Sequence, residues 1–468
     1  MEILKVAKNA GTEETMEIRK NFFRCVIPSM LAFALSGIYA IVDGFFIGNK
    51  IGDFGLAAIN IAYPLTALIQ AVGSGIGMGG AILYSICEGA KKTEEKNRYF
   101  KVTSLLLAGV SLLLMGGLAI SAPAVLRMFG AVGEIYPLAL AYIRFIIYGA
   151  FFQVLSTGLV PFLRNMGGAV LAMVAMISGF LTNILLDYLL VWRFPYGMAG
   201  AALATVIGQA VTFAVCLCFL LARRNSLRSR MGKGFWGLAK RVLLIAPSPF
   251  GLAFVPNITL ILVNKSAVLY GGEAAVTSYA AVSYISCVVL LLLQGISDGC
   301  QPLMSLYYGE GDGAKTGRVK RIAYQFSAVT ALFCMVLLYL VRNQAAVLFG
   351  ASDQTVASVG AILPVFLIGY LFASFSRITV SAFYATGKDK MAYLLIYAEP
   401  VFLLVLLLIL PERLGIGGTW VSVPVSQLLI MLLSLFFLYR GKYPGKTGAG
   451  LSIRKWKNRR SPGSGNNG

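Results

Sequence analysis

Runs of about twenty or more mostly apolar residues recur along the whole chain, with no long polar stretch between them. A helix needs roughly 20 such residues to cross the hydrocarbon core of a bilayer. That single feature excludes most of what a chain of 468 residues could otherwise be. Length alone would suggest two or three soluble domains. However, 58% of the residues are apolar and only 13% are charged, about half the charge of a soluble chain. No large extramembrane domain fits. The runs predict spans at 22–48, 55–85, 102–122, 138–160, 168–191 and 197–222, then at 242–264, 275–304, 322–341, 357–384, 391–410 and 416–439. The linkers are mostly short and rich in Gly, Pro and charge. The expected fold is an all-α integral membrane protein of twelve transmembrane helices.

The net charge of +21 would raise the question of nucleic acid in a soluble protein. Here the basic residues sit in short loops that alternate with apolar spans, so nucleic acid is excluded as the main reading. With residue 1 placed in the cytoplasm, 32 of the 40 Lys and Arg fall on the cytoplasmic side and 6 on the other. Two, Arg144 and Arg377, lie within spans. The positive-inside rule therefore puts both termini in the cytoplasm, and twelve spans satisfy the even number this requires. The first 21 residues are polar and of mixed charge, and no cleaved signal peptide is evident. None of the seven cysteines forms a CxxC pair, and there is no His. The commonest metal ligand and proton shuttle is thus missing, and no cofactor or metal is expected.

The two halves of the chain match each other in order. MFGAVGE at 128–134 pairs with LFGASDQ at 348–354, and YSICEG at 84–89 with MSLYYG at 304–309, both at an offset of 220. GMAGAALATVIGQ at 197–209 pairs with GIGGTWVSVPVSQ at 415–427 at 218, and Pro28-Ser29 with Pro247-Ser248 at 219. Spans 1–6 and 7–12 are therefore repeats. Because each has an even number of spans, the halves share one orientation, with a central cleft between two pseudo-symmetric six-helix bundles. The expected organisation is a cytoplasmic tail at 1–21, a first lobe at 22–222, a cytoplasmic inter-lobe loop at 223–241, a second lobe at 242–439 and a basic cytoplasmic tail at 440–468. Such an architecture suits alternating access, although duplication alone does not require it.

Four of the 19 carboxylates lie within spans: Asp43, Asp187, Asp298 and Glu399. An ionisable group in hydrocarbon is costly, which makes each a functional candidate. Asp43 and Asp187 lie at matched distances from the same ends of spans 1 and 5. Asn183 is four residues before Asp187, on the same helix face, and Thr205 reaches a similar depth from span 6 at ~1.5 Å per residue. Two carboxylates in one dry cavity do not both stay ionised without cost, so the group is a candidate proton or Na⁺ site. Interhelical hydrogen bonding is the alternative reading. At an offset of 219 the two acids fall on Leu262 and Leu406, so the second half lacks them. Asp298 and Arg377 would make a buried structural pair closing the cytoplasmic side. Glu399 precedes Pro400 and either attracts a cationic substrate or accompanies a local helix break. Pro28 lies early in span 1 and frees a carbonyl, which makes it a candidate gating residue. Gly445-Lys446-Thr447 lacks the earlier glycine of a phosphate-binding loop, since Arg440 stands there. The energy source is then an ion or substrate gradient.

Three stretches carry a family likeness: IPSMLAFALSGIYAIVDGFFIGNKIGDFGLAAINIAYPL at 27–65, GSGIGMGGAILYSICEGAKK at 73–92 and LLQGISDGCQPLMSLYYGEGD at 292–312. NILLDYLLV followed by GMAGAALATVIGQ adds to it. Together they resemble the multidrug and toxic compound extrusion (MATE) family over about 22–440, in particular its bacterial MepA-like and DNA-damage-inducible branches. The resemblance implies a V-shaped pair of lobes exporting cationic or amphipathic drugs in exchange for H⁺ or Na⁺. In that family an Asp late in the first helix and an Asn-x-x-x-Asp in the fifth line a cavity of the first lobe. Here these positions are Asp43, Asn183 and Asp187, with Thr205 at the sixth-helix polar position and Tyr39 one turn before Asp43. Na⁺ would take the oxygens of Asp43, Asn183, Asp187 and Thr205. Another branch places a Glu in the seventh helix, and 242–264 contains no acid, which favours coupling in the first lobe. Glu399 stands where close relatives carry a basic residue.

The expected protein is thus a monomeric multi-pass antiporter of the cell membrane and not an enzyme, since no nucleophile–base pair appears. Its partners are small organic cations or amphipathic drugs, H⁺ or Na⁺, and the lipid bilayer. A lipid-linked oligosaccharide flippase would need a large basic cavity, and a channel or signalling protein would not need an asymmetric acid pair.

Overall fold

A backbone that crosses hydrocarbon must satisfy its own N–H and C=O groups, and a helix does so within one segment. The computed structural model describes residues 2–223, 234–347 and 353–442, and within them every regular element is helical. In the first half these are α1 (Glu2–Ile51), α2 (Asp53–Gly89), α3 (Thr93–Met128), α4 (Ile135–Tyr148), α5 (Ala150–Asn165), α6 (Ala169–Asp187), a π-helical turn at Tyr188–Arg193 and α7 (Gly197–Ala222). In the second half they are α8 (Phe235–Ile245), α9 (Pro247–Glu310), α10 (Gly313–Leu340), α11 (Arg342–Val347), α12 (Asp353–Ala385), α13 (Asp389–Leu414) and α14 (Ile416–Lys442).

Ten of these helical stretches are long and apolar enough to span a membrane, and α4 with α5 adds one more span bent by 57°. One of the ten, Phe235–Glu310, has 76 residues. Straight, it would run about 114 Å, against a hydrocarbon thickness of about 30 Å. It breaks at Gly272, whose φ of 66° and ψ of −162° are not helical. The stretch is therefore two spans, and the total is twelve, in agreement with the sequence.

The break recurs in the first half. Gly52, between α1 and α2, has φ 86° and ψ −166°, and lies 220 residues before Gly272. Other left-handed residues pair the same way: Lys91 with Gly311, Gly167 with Gly387, and Gly197 with Gly415, at offsets of 218 to 220. The two bundles thus turn at equivalent points. The 128–134 and 348–354 pairing has its second member partly outside the described residues, as do 224–233 and everything after 442, including Gly445-Lys446-Thr447.

Two apolar cores follow the repeat. Ile47, Ala58, Leu107, Ile143 and Ala201 belong to one, and Val282, Leu293, Ile378 and Leu403 to the other. Helix α1 belongs to both, because Ile18, Phe22 and Val26 pack in the second core and Ile47 in the first. Its early turns are fixed to α10 by Arg318, which donates to Glu14 Oε2 at 2.6 Å, and by edge-to-face contact of Phe23 with Phe326. The segment 1–21, expected as a tail, is helical from Glu2 and continuous with the first span. The expected loop 223–241 already contains the start of α8. Pro28 sits inside unbroken α1, and the sharp bend within one span lies instead at Gly149.

The bundles press together at one end, here called the closed end. A Cβ on Gly295 would lie 2.6 Å from Met30 Cα, and one on Gly309 would lie 2.2 Å from the Ile86 carbonyl oxygen. Only glycine permits such approach between helices. Toward the Gly52 and Gly272 turns, Ile38, Tyr63, Ile261 and Tyr284 are exposed. Around Gly52 and Gly272 there is open space for a Cβ, so substitution is opposed by the backbone alone. Gly52→Ala and Gly272→Ala should each cost about 1–3 kcal/mol, read as lower melting temperatures in detergent. Gly109→Ala, at an equally open position inside α3, should not lower it.

Candidate functional site

The first bundle brings α1, α4, α6 and α7 around one polar cluster. What lets α6 and α7 approach is a pair of glycines. A Cβ on Gly179 would lie 2.0 Å from Thr212 Oγ1, and one on Gly208 would lie 2.7 Å from the Gly179 carbonyl oxygen and 3.1 Å from Asn183 Cβ. The close crossing sets Asn183 against Thr205, and the Asn183 amide donates to Thr205 Oγ1 at 3.3 Å. Thr205 in turn donates to the Ala201 carbonyl. One turn beyond Asn183 stands Asp187, fully buried. Immediately after it the helix widens into the π-helical turn Tyr188–Arg193, a distortion frequent at functional sites.

From α1, Asp43 lies beside Asp187. One oxygen of Asp43, both oxygens of Asp187 and the Asn183 carbonyl oxygen are buried and accept no hydrogen bond. Buried polar groups normally have partners, and here four unsatisfied acceptors converge. Tyr39, one turn before Asp43, stacks on Phe180 with ring centres 5.2 Å apart, and its hydroxyl reaches Thr205. All five residues read from the sequence, Tyr39, Asp43, Asn183, Asp187 and Thr205, are thus brought together. Sequence reasoning missed Tyr142 of α4, whose hydroxyl also reaches Thr205 and which lies beside both acids. A lone tyrosine in an apolar span gives no signal until the helices are packed.

A second polar group lies between the bundles, at the closed end. Arg164 of α5 is buried and donates from Nη1 to Asp298 Oδ2 at 3.4 Å and to Ser29 Oγ at 3.3 Å. Gln294 donates to the other oxygen of Asp298 at 2.6 Å and accepts from Arg377. Next to this, Asn165 and Gln301 exchange amide hydrogen bonds of 3.1 and 3.2 Å, and Ser85 donates to Asn165 Oδ1. The expected direct pairing of Asp298 with Arg377 is therefore corrected: Asp298 pairs with Arg164, and Arg377 reaches it through Gln294. The spans expected at 138–160 and 168–191 leave Arg164 in the loop between them. It is instead the penultimate residue of α5, because the helix runs on to Asn165. Glu399 lies within electrostatic reach of Arg377. Among the described residues no group of His, Cys, Asp and Glu could hold a metal ion by those side chains alone.

Comparison with known proteins agrees with this architecture. A model of the MatE family matches residues 28–189 and again 247–407, two matches displaced by the repeat offset. The multidrug export protein MepA of Staphylococcus saprophyticus is 24% identical over 433 residues, covering 91% of this chain and 94% of that protein. A solved structure described as an outward-facing conformation of a multidrug resistance MATE family transporter of the MOP superfamily aligns with a TM-score of 0.82 at 23% identity, over 90% of this chain and 95% of that one. A MOP superfamily transporter from Pyrococcus furiosus, described as having a binding pocket of reverse polarity, aligns with a TM-score of 0.86 at 22% identity, over 92% and 97%.

The glycine crossing is the part of the site most exposed to a conservative change. Gly208→Val should force α6 away from α7 and separate Asn183 from Thr205. The expected cost is about 1–3 kcal/mol of overpacking, seen as a lower melting temperature together with lost transport. Gly117→Val, in open space on α3, should leave both unchanged.

Proposed function

The chain belongs to the MatE family, and on that premise we propose that it is a secondary active antiporter, exporting cationic or amphipathic small molecules in exchange for H⁺. The observation that carries the reading is the neighbouring pair Asp43 and Asp187, with four buried acceptor oxygens that receive no hydrogen bond. Like charges in a low-dielectric site repel strongly unless a proton or cation lies between them. A proton shared by the pair meets that need directly. Na⁺ is the second reading, because the unsatisfied oxygens of Asp43, Asp187 and Asn183, with Thr205, form an all-oxygen set of the kind hard cations take. An ion and a cationic substrate that both favour the same carboxylates exclude each other, and this exclusion is the coupling. Asp43→Asn and Asp187→Asn should each abolish gradient-driven export while expression stays normal. In inverted vesicles, uptake of a fluorescent cation should proceed without Na⁺ and collapse with a protonophore. Uptake that needs Na⁺ and survives loss of ΔpH would reverse the assignment.

In this reading the lobes 22–222 and 242–439 rock about the cleft, with both termini in the cytoplasm, so that the closed end faces inward. Helix α1 would transmit the change, because its early turns belong to the second core and Asp43 to the first. Pro28 lies between them and leaves the Arg24 carbonyl without its helical partner, a suitable place for a bend. Glu399, beside Arg377 in the second lobe, would add a negative group for a cationic substrate. The flippase alternative is weaker, since Arg164 pairs with Asp298 and Arg377 lies beside Glu399. The closed end must part during the cycle, and there the Arg164–Asp298 pair and the Asn165–Gln301 exchange hold the lobes together. Removing one partner of a buried pair costs about 3–5 kcal/mol. Arg164→Gln should therefore favour the state open at that end. Spin labels near Lys50 and Lys265 should show a shorter distance in this variant than in the parent at the same pH. An unchanged distribution in a folded, labelled variant would count against the latch.

A further inference from the structure

Arg144 takes no part in either polar network. It stands in α4, nine residues after Ile135, about 13 Å along the helix axis from the α3–α4 connection at ~1.5 Å per residue. Tyr148, one turn on along the same face, is 69% exposed, and the adjacent Phe145 is 40% exposed. On a spanning helix that face meets lipid. Arg144 is itself exposed, and no ion pair or hydrogen bond engages it among the described residues. An arginine facing hydrocarbon without an anionic partner is costly, and such residues mark sites.

The surroundings define what the partner must be. Between α3 and α4 runs a groove of about 290 Å³, with Ala119, Ala122 and Pro123 on one wall and Leu140, Ile147 and Tyr148 on the other. The α3 wall is made of small side chains, which leaves room for an alkyl chain beside the guanidinium. At the mouth, Arg127 of α3 lies over the Tyr136 ring of α4 at 4.9 Å, which places a second cation at headgroup level. A guanidinium binds phosphate oxygens in a bidentate fork. One cation in the wall of the groove and a second at its mouth suit a headgroup of net negative charge better than a zwitterion. A soluble anion would gain nothing from the apolar walls.

We propose that Arg144 and the α3–α4 groove form a binding site for one anionic phospholipid, its phosphate on the guanidinium and an acyl chain along Ala119, Ala122 and Pro123. The site does not depend on the transport reading. The test is native mass spectrometry of delipidated full-length protein titrated with phosphatidylglycerol or phosphatidylcholine. The parent should bind one phosphatidylglycerol preferentially. Arg144→Gln should weaken that first adduct about tenfold or more, and Arg144→Lys should weaken it less. Ala119→Trp, which fills the groove and keeps the charge, should weaken it as well. Arg413→Gln, which removes an exposed charge at the same membrane face, should have no effect. Retention of the adduct in both Arg144→Gln and Ala119→Trp would overturn the proposal. Equal binding of phosphatidylcholine, equal loss in Arg413→Gln, or displacement by millimolar inorganic phosphate would also overturn it.

Discussion

Inside a bilayer a peptide group has no water to bond to, and every other feature of this molecule is an adjustment to that constraint. It forces the chain into helices that satisfy themselves. Once formed, those helices gain little from burying apolar surface against each other, because lipid is equally apolar. Close van der Waals approach is what remains, and the glycines supply it. Gly295 and Gly309 bring the bundles together at one end, and Gly179 and Gly208 bring α6 onto α7. The same constraint makes the turns exact: Gly52 and Gly272 adopt one unusual conformation at equivalent points of the repeat.

Against this background the polar residues stand out by how well they are satisfied. Between the bundles, Arg164, Asp298, Gln294, Asn165 and Gln301 form a network in which charge is balanced and amides are exchanged. Its chemistry is adhesion. Within the first bundle, one oxygen of Asp43, both of Asp187 and the Asn183 carbonyl oxygen are buried and accept no hydrogen bond. That unmet acceptor capacity is the ground for proposing an ion site there rather than interhelical adhesion. Helix α1 touches both regions, with Ser29 at the network and Asp43 at the cluster.

Much of this was legible in the chain itself. The twelve spans, the duplication and the two acids of the cluster follow from run length, offset and the rarity of charge in hydrocarbon, Asn183 and Thr205 from helix face and depth, and Tyr39 from the family resemblance. Arg164 was not legible, because a charged residue near the end of an apolar run looks like the start of a loop. Only the continuation of α5 to Asn165 buries it. Its capture of Asp298 displaced the pairing with Arg377 that sequence proximity to the same membrane face suggested. Asn165, Gln294 and Gln301 are uncharged and drew no notice, since, unlike Asn183 beside Asp187, none was placed by a neighbouring acid in the same bundle until the partner helix was in place. Tyr142 stayed hidden for the same reason.

The sequence by itself determined that this protein is helical, membrane-spanning and built from two similar halves, because those properties depend on the solvent each residue type tolerates and on repetition along one dimension. It also determined that the acids of spans 1 and 5 belong to the first half alone. The tertiary structure decided which polar groups meet. It chose Arg164 for Asp298, added Tyr142 to the acid cluster, left Asp187 without a donor and brought the bundles together at Gly295 and Gly309. Those outcomes depend on helix crossings, and a crossing is fixed by which glycine faces which neighbour, a relation between distant parts of the chain that no local pattern encodes.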